Sequence, residues 1–480
     1  MEETGPLDAG EKEGARLLAA VAELVVRHAG SVADGPVAPA EPGTAQIRDW
    51  LSGYDFERAA PAEDTVADVT GMLRRWGVHT THPRYFGLFN PTPTWWGVAG
   101  ELLAAGVNPQ LAAYSHAPAA VEMERHVLRF MAGRLGLPDA TEGSFTVGGA
   151  EANLTAVVIA LTRAFDGYPR SGLLGLPGQP VMYASAESHL AWLKIAHMTG
   201  LGRDAVRLVP VDAGHRLDLI SLREMYAADI AAGFAPFLVV GTAGTTAGGA
   251  IDPLPELALL ASIWGVHFHV DAAWAGAIAL SDRLRPLLAG VELADSVTVD
   301  AHKWLSAPMG AGMFLTRHPD ALASSFRAST SYMPDESEGA SDPYATSVQW
   351  SRRFAGLKVF LGLAAAGRPA HAAQLERDVR LGELLGRRLR EEGWRRINDT
   401  PLPVICVADP DAERDGREHS AAWHAAVADR VVAGGEAWVS TVQLAGRPGI
   451  RLCLTSYRTT AADIEAVVAA LGRAREAQPV

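Results

Sequence analysis

Two short stretches of this 480-residue chain carry side chains whose types and spacing could do covalent chemistry. "HVDAAWAG" (269–276) sets Asp271 at the end of one apolar run, and "DAHKW" (300–304) sets Lys303 at the end of the next. The interval between them is long enough for a helix and a turn, which would make two strand ends neighbours. A lysine amine in that position can form an imine with an aldehyde. A buried carboxylate beside it can keep a pyridine nitrogen protonated, so that the ring accepts electrons from a forming carbanion. Either residue alone reads as a solvated lysine or a helix-capping aspartate. With His302 adjacent to Lys303, and Ala272 and Ala273 leaving room for a flat ring, the pair reads as a pyridoxal phosphate (PLP) site with Lys303 as the Schiff-base residue.

Four further stretches could serve such a site. In "FTVGGAEANLTAV" (145–157), Gly148 and Gly149 precede an apolar-periodic helix, so backbone N–H groups can face an anion at its positive end. "SAESHLAWLK" (185–194) sets His189 at a strand-to-helix junction; His197, two turns on, reads as structural. "GTAGTTAGGAID" (241–252) ends a strand in Thr245 and Thr246, and Asp252 is expected to cap a helix starting at Pro253. The polar stretch 328–354, rich in Ser, Gly, Asp and Pro, reads as a long loop, and such loops usually carry function.

The elements that must hold these residues follow from periodicity. Apolar β-type runs at 180–185, 205–211, 237–244, 266–273 and 296–304 alternate with helical stretches at 150–166, 188–200, 216–232 and 254–264. That alternation predicts an α/β fold with a mostly parallel sheet and helices on both faces, whose ligand site lies beyond the carboxyl ends of the strands. Residues 1–80 predict a helical arm with no core of its own, broken by a Pro/Gly/Ala-rich linker from Ser31 to Thr44. Residues 81–365 form the expected large domain. Two helices, at 352–367 and 370–393, then lead to strands in "PLPVICVAD" and "GIRLCLTSY", which predict a smaller α+β domain over 366–480.

Bulk properties narrow the function. Hydrophobic residues make up 48% and charged residues 20%, ordinary for a globular enzyme. A net charge of -13 provides no basic stripe for nucleic acid and no anchor for an anionic membrane. Cys406 and Cys453 both sit in apolar runs and read as small core residues in a reducing compartment. No apolar run is long enough to span a bilayer, and the acidic N-terminus lacks the features of a secretory signal, so a cytoplasmic location is expected.

From about His82 onward the chain resembles the group II PLP-dependent decarboxylases, the family of aromatic-L-amino-acid, histidine, glutamate and 2,4-diaminobutyrate decarboxylases. The resemblance implies the PLP-dependent transferase fold type I, with a mostly parallel seven-stranded sheet. It also implies a homodimer with active sites at the subunit interface. Lys303 is then the Schiff-base lysine and Asp271 the partner of the ring nitrogen, while His189 stacks on the ring and touches the substrate carboxylate. Gly149 and Ala150 hold the phosphate; Thr246, with Thr245 as the alternative, bonds within the cofactor site; Asp300 and His302 are cofactor contacts. Tyr332, in the long loop, returns a proton to the α-carbon after CO2 leaves, and one of Arg352 and Arg353 lies near the site. The implied reaction is decarboxylation of an L-amino acid to its amine through an external aldimine and a quinonoid.

Three other readings compete. Arg451, in "GIRLCLTSY", could bind a carboxylate as in aminotransferases of the same fold. An aldehyde-forming variant would lack the loop tyrosine, which is present. A non-catalytic binding homologue would have lost Lys303 or Asp271. The segments at 82–96 and 108–124 match the family's side-chain pocket, with Phe89 keeping one ring there. Leu88, Asn90 and Ala112 depart from the aromatic-substrate pattern, and Trp95, Trp96 and Tyr114 are either pocket walls or core.

Overall fold

The computed structural model describes residues 7–39, 43–328, 341–414 and 416–478. Its centre is a sheet of seven strands: β1 (Glu142–Thr146), β2 (Pro180–Ser185), β3 (Val206–Val209), β4 (Ala235–Thr242), β5 (His267–Asp271), β6 (Ser296–Asp300) and β7 (Gly312–Thr316). They lie in the order β1-β7-β6-β5-β4-β2-β3. Only β7 opposes its neighbours; all other pairings are parallel. Because β1 and β6 both run against β7, the carboxyl ends of β1, β2, β4, β5 and β6 share one edge.

Both faces of the sheet are covered, which is why its strands read as unbroken apolar runs. Leu238 and Val240 of β4 pack with Val157 and Leu161 of the Gly149–Ala164 helix on one face. Val239, between them, points to the other face and packs with Leu254 and Leu257 of the Leu254–Trp264 helix. The expected strands and helices of this region all form, with ends shifted by a few residues. β1 and β7 were not among the strands read from the sequence.

A second sheet, of four antiparallel strands, follows: β8 (Arg395–Arg396), β9 (Val404–Ala408), β10 (Ser440–Leu444) and β11 (Arg447–Cys453), in the order β10-β11-β9-β8. One face holds Val407, Ile450 and Leu452 against Val427, Val467 and Leu471 from the helices Arg417–Ala433 and Ala461–Glu476. The other turns Val404, Cys406 and Cys453 into the main core. The two helices expected at 352–367 and 370–393 are both present within Gly356–Glu391, separated at Gly367, whose φ of 72° is not helical, with Pro369 just beyond.

The three N-terminal helices, Gly10–Ser31, Thr44–Leu51 and Ala62–Trp76, bury none of their residues within the chain. Leu18, Val25, Val26 and Leu73 stay exposed on them. The linker between the first two is not free. Val37 is buried, and its N–H donates at 2.8 Å to the carbonyl of Gly435, just after the Arg417–Ala433 helix. Among the described residues no helix is long and apolar enough to cross a membrane.

Candidate active site

The shared strand edge brings the separate motifs together. Gly148, Gly149, Ala150, His189, Thr246, Asp271, Asp300 and Lys303 all line one cavity. Asp271 closes β5 and pairs in register with Thr242 of β4 and Thr298 of β6, so it sits at the middle of the sheet. Its Oδ1 accepts the Ala273 N–H (3.1 Å) and its Oδ2 the side-chain amide of Asn153 (2.8 Å). Asp300 ends the neighbouring strand, and one turn on Lys303 Nζ lies 3.1 Å from Asp300 Oδ2. That contact holds the ammonium in the cavity, where its side chain stays about a quarter exposed.

The Gly149–Ala164 helix begins at the same cavity, and its first N–H groups have no acceptor inside the helix. Gly149 is required by close approach: a Cβ there would lie 2.9 Å from Asp300 Oδ2. Gly244 is required by conformation as well as space, with φ 88° and a Cβ position 2.8 Å from Trp274 Nε1. The indole donates to the Gly244 carbonyl at 2.6 Å, which fixes Trp274 as part of the cavity wall. In the sequence, Trp274 inside "HVDAAWAG" carries no sign of this role. On the rim, Gln349 donates to both oxygens of Glu151 (2.7 and 2.8 Å), tying the segment after residue 340 to the start of this helix.

These residues fit the cofactor that the sequence implies. An amine, a carboxylate and the backbone of Gly149 and Ala150 at a helix N-terminus line one cavity, matching an aldehyde, a ring nitrogen and a phosphate. The remaining expectations divide. Thr246 lines the cavity, whereas Thr245 is fully buried and its Oγ accepts the Ala250 N–H (3.1 Å), a turn contact. His302 does not line the cavity. It is buried behind the Gly148–Gly149 turn, its Nδ1 accepts the Ala311 N–H (3.2 Å), and its ring supports the turn from below. His189 faces the cavity with Nδ1 accepting the Ala191 N–H at 3.1 Å. Tyr332 lies outside the described residues.

Asp252 is not a helix cap. It is buried and accepts the N–H groups of Leu217 (2.8 Å) and Thr242 (2.7 Å), bracing the end of β4 beside the cavity; burial pushes its pKa up to about 6. Arg352 is a core residue in a 2.6 Å ion pair with buried Glu124, while Arg353 is largely exposed and pairs with Glu101. Neither lines the cavity. Arg451 is buried in β11, donates to the Gly87 carbonyl (2.8 Å) and lies 4.9 Å over the Phe89 ring. Phe89 in turn stacks on Trp274 (4.3 Å), so two aromatic rings stand between Arg451 and the cavity. Trp95, Trp96 and Leu88 are exposed in the single chain, neither core nor cavity wall. Both cysteines are free and buried, and burial raises their thiol pKa values, that of Cys453 to about 11.

Residues 55–407 match the family model described as the pyridoxal-dependent decarboxylase conserved domain. An aromatic-L-amino-acid decarboxylase of Bacillus atrophaeus is 27% identical over 390 residues, covering 80% of this chain and 80% of the relative. An aspartate 1-decarboxylase of Aliivibrio fischeri is 33% identical over 315 residues, covering 60% of this chain and 57% of the relative. Among solved structures, Oryza sativa TDC with PLP and tryptamine superposes with a TM-score of 0.93 at 24% identity, covering 99% of this chain and 100% of that one.

Proposed function

The chain belongs to the pyridoxal-dependent decarboxylase family and is a PLP-dependent carboxy-lyase of amino acids, and we propose that its cavity removes the α-carboxyl group of an L-amino acid with Lys303, Asp271 and His189 in the leading roles. The observation that carries this reading is that Asp271, at the end of β5, and Lys303, one turn beyond the end of the adjacent β6, line one cavity with the helix N-terminus at Gly149. When bound, PLP supplies an aldehyde for the lysine and a ring that takes up the electron pair left by CO2. Lys303 Nζ is the nucleophile, and Asp300, 3.1 Å away, orients it. Asp271 holds a proton on the ring nitrogen. Gly149 and Ala150 hold the phosphate through backbone N–H groups, and Thr246 adds a hydroxyl at the cavity wall. His189, on the cavity wall, is assigned to stack on the ring and orient the substrate carboxylate. Tyr332 is assigned the return of a proton to the α-carbon.

The arm argues for a homodimer. Three amphipathic helices with no fully buried residue and with exposed Leu18, Val25, Val26 and Leu73 need a second surface. The exposed Trp95, Trp96 and Leu88 would meet the same partner. Light scattering should give twice the chain mass; a monomer with full activity would refute the assignment. The reaction is tested by incubating purified, PLP-loaded protein with a panel of L-amino acids and no keto acid. Release of CO2 with an equimolar amine supports the proposal. Turnover that requires a keto acid would identify an aminotransferase, and an aldehyde product would identify the oxygen-dependent variant.

A further inference from the structure

Behind Asp271 a chain of buried polar side chains runs back through the sheet. Asn153 Nδ2 lies 2.8 Å from Asp271 Oδ2, and Asn153 Oδ1 lies 3.1 Å from His269 Nε2. His269 Nδ1 is 2.8 Å from Ser296 Oγ, which is also 2.8 Å from His267 Nε2. All four residues behind Asp271 are at most 7% exposed.

With Asp271 ionised and both imidazoles neutral, one set of hydrogen-bond directions satisfies the chain from end to end. An ionised carboxylate only accepts, so Asn153 donates to it through Nδ2 and presents Oδ1 to His269. His269 must therefore carry its proton on Nε2, where Thr298 Oγ1 at 3.4 Å is a second acceptor. Nδ1 is then an acceptor and takes the Ser296 hydroxyl proton. The serine oxygen, having spent its one proton, accepts from His267 Nε2–H. Burial pushes both histidines well below their usual range, to about 3 for His269 and about 4 for His267, so each is neutral with one donor and one acceptor.

We infer that Asn153, His269, Ser296 and His267 form a one-way relay that keeps Asp271 aimed at the ring nitrogen, making Asn153 and His269 positioning residues for the cofactor. Each member donates toward Asp271, so the dipoles add in series instead of cancelling. The inference rests on the role of Asp271 proposed above. An apolar strand would bury β5 without the cost of satisfying two imidazoles.

The test has two independent readouts. In holoenzyme labelled with 15N-histidine, with the His269 signals identified by their loss in His269→Gln, long-range 1H–15N correlation should show a neutral ring protonated at Nε2. An Nδ1–H tautomer or a charged ring overturns the relay. PLP affinity, followed by tryptophan fluorescence quenching, should weaken about tenfold or more in Asn153→Leu and in His269→Leu, the scale of losing a hydrogen bond to a charged group. His269→Gln, whose amide N–H can replace the Nε2–H donor, should stay within about threefold of the parent, by the same reasoning. Equal weakening in His269→Leu and His269→Gln, with melting temperatures falling in parallel, would mean a packing role and overturn the proposal. Failure of the wider reading looks different. In that case the parent protein itself would lack the violet-edge absorbance of a lysine-bound cofactor.

Discussion

Replacing Arg352 with methionine separates a structural role for this arginine from a catalytic one. Arg352 and Glu124 are 9% and 2% exposed, and the guanidinium lies 2.6 Å from the carboxylate. Methionine fills the space of the aliphatic stem but strands the carboxylate, which keeps only the Gly356 N–H at 3.0 Å as a donor. Leaving one partner of a buried ion pair uncompensated costs about 3–5 kcal/mol. An unfolding entropy of about 2.1 cal/mol/K per residue gives this chain roughly 1 kcal/mol per degree, so the melting temperature should fall by about 3–5 °C. The double variant Glu124→Gln with Arg352→Met removes both charges and should recover most of that loss. Circular dichroism melts at fixed protein and PLP concentration supply the stability, and CO2 release supplies kcat. The expected pattern is a lowered melting temperature, near-parental kcat at low temperature, and rescue in the double variant. A variant that melts like the parent yet loses turnover tenfold or more would refute this reasoning and put Arg352 back in the active site.

Gly149→Ala should weaken PLP binding measurably, because its Cβ would sit 2.9 Å from Asp300 Oδ2 and push away the carboxylate that orients Lys303; the strain is about 1–3 kcal/mol, and fluorescence titration reads it. Asp378 accepts from Trp304 Nε1 (2.8 Å) and Gln374 Nε2 (2.7 Å), and burial pushes its pKa up to about 7. With a folded pKa above the ordinary 3.8, its favourable contribution is complete below about pH 4 and is lost as pH rises through 7. Asp378→Asn should therefore gain stability over the parent between pH 5 and 8, by up to about 4 kcal/mol, as melts across that range will show; a constant difference would contradict it. Thr245→Ala should lower the melting temperature by stranding the Ala250 N–H, whereas Thr246→Ala should leave it unchanged and weaken PLP binding.

The central strands were legible because a parallel sheet buried on both faces writes its strands as apolar runs, and polar residues at their ends mark the edge where ligands bind. Asp271, Lys303 and His189 could be read for that reason. β1 ("EGSFT") and β10 ("STVQL") were not, since short edge strands mix small and polar residues without contrast. The bracing role of Asp252 depends on Leu217, which reaches it only through the fold. Arg352 was ambiguous because a loop sequence does not reveal a buried glutamate on a distant helix. The relay behind Asp271 did leave a trace. His267 and His269 alternate in an apolar strand, and a buried strand with polar side chains two apart must satisfy them from neighbouring elements.

Lys303 as the covalent anchor is the claim on which the rest depends. Borohydride reduction of the PLP-loaded protein, followed by proteolysis and mass spectrometry, tests it directly. A phosphopyridoxyl group is expected on the peptide containing Lys303, and none at that site after Lys303→Ala. A modified lysine elsewhere, or no covalent label on a protein that releases CO2, would contradict it.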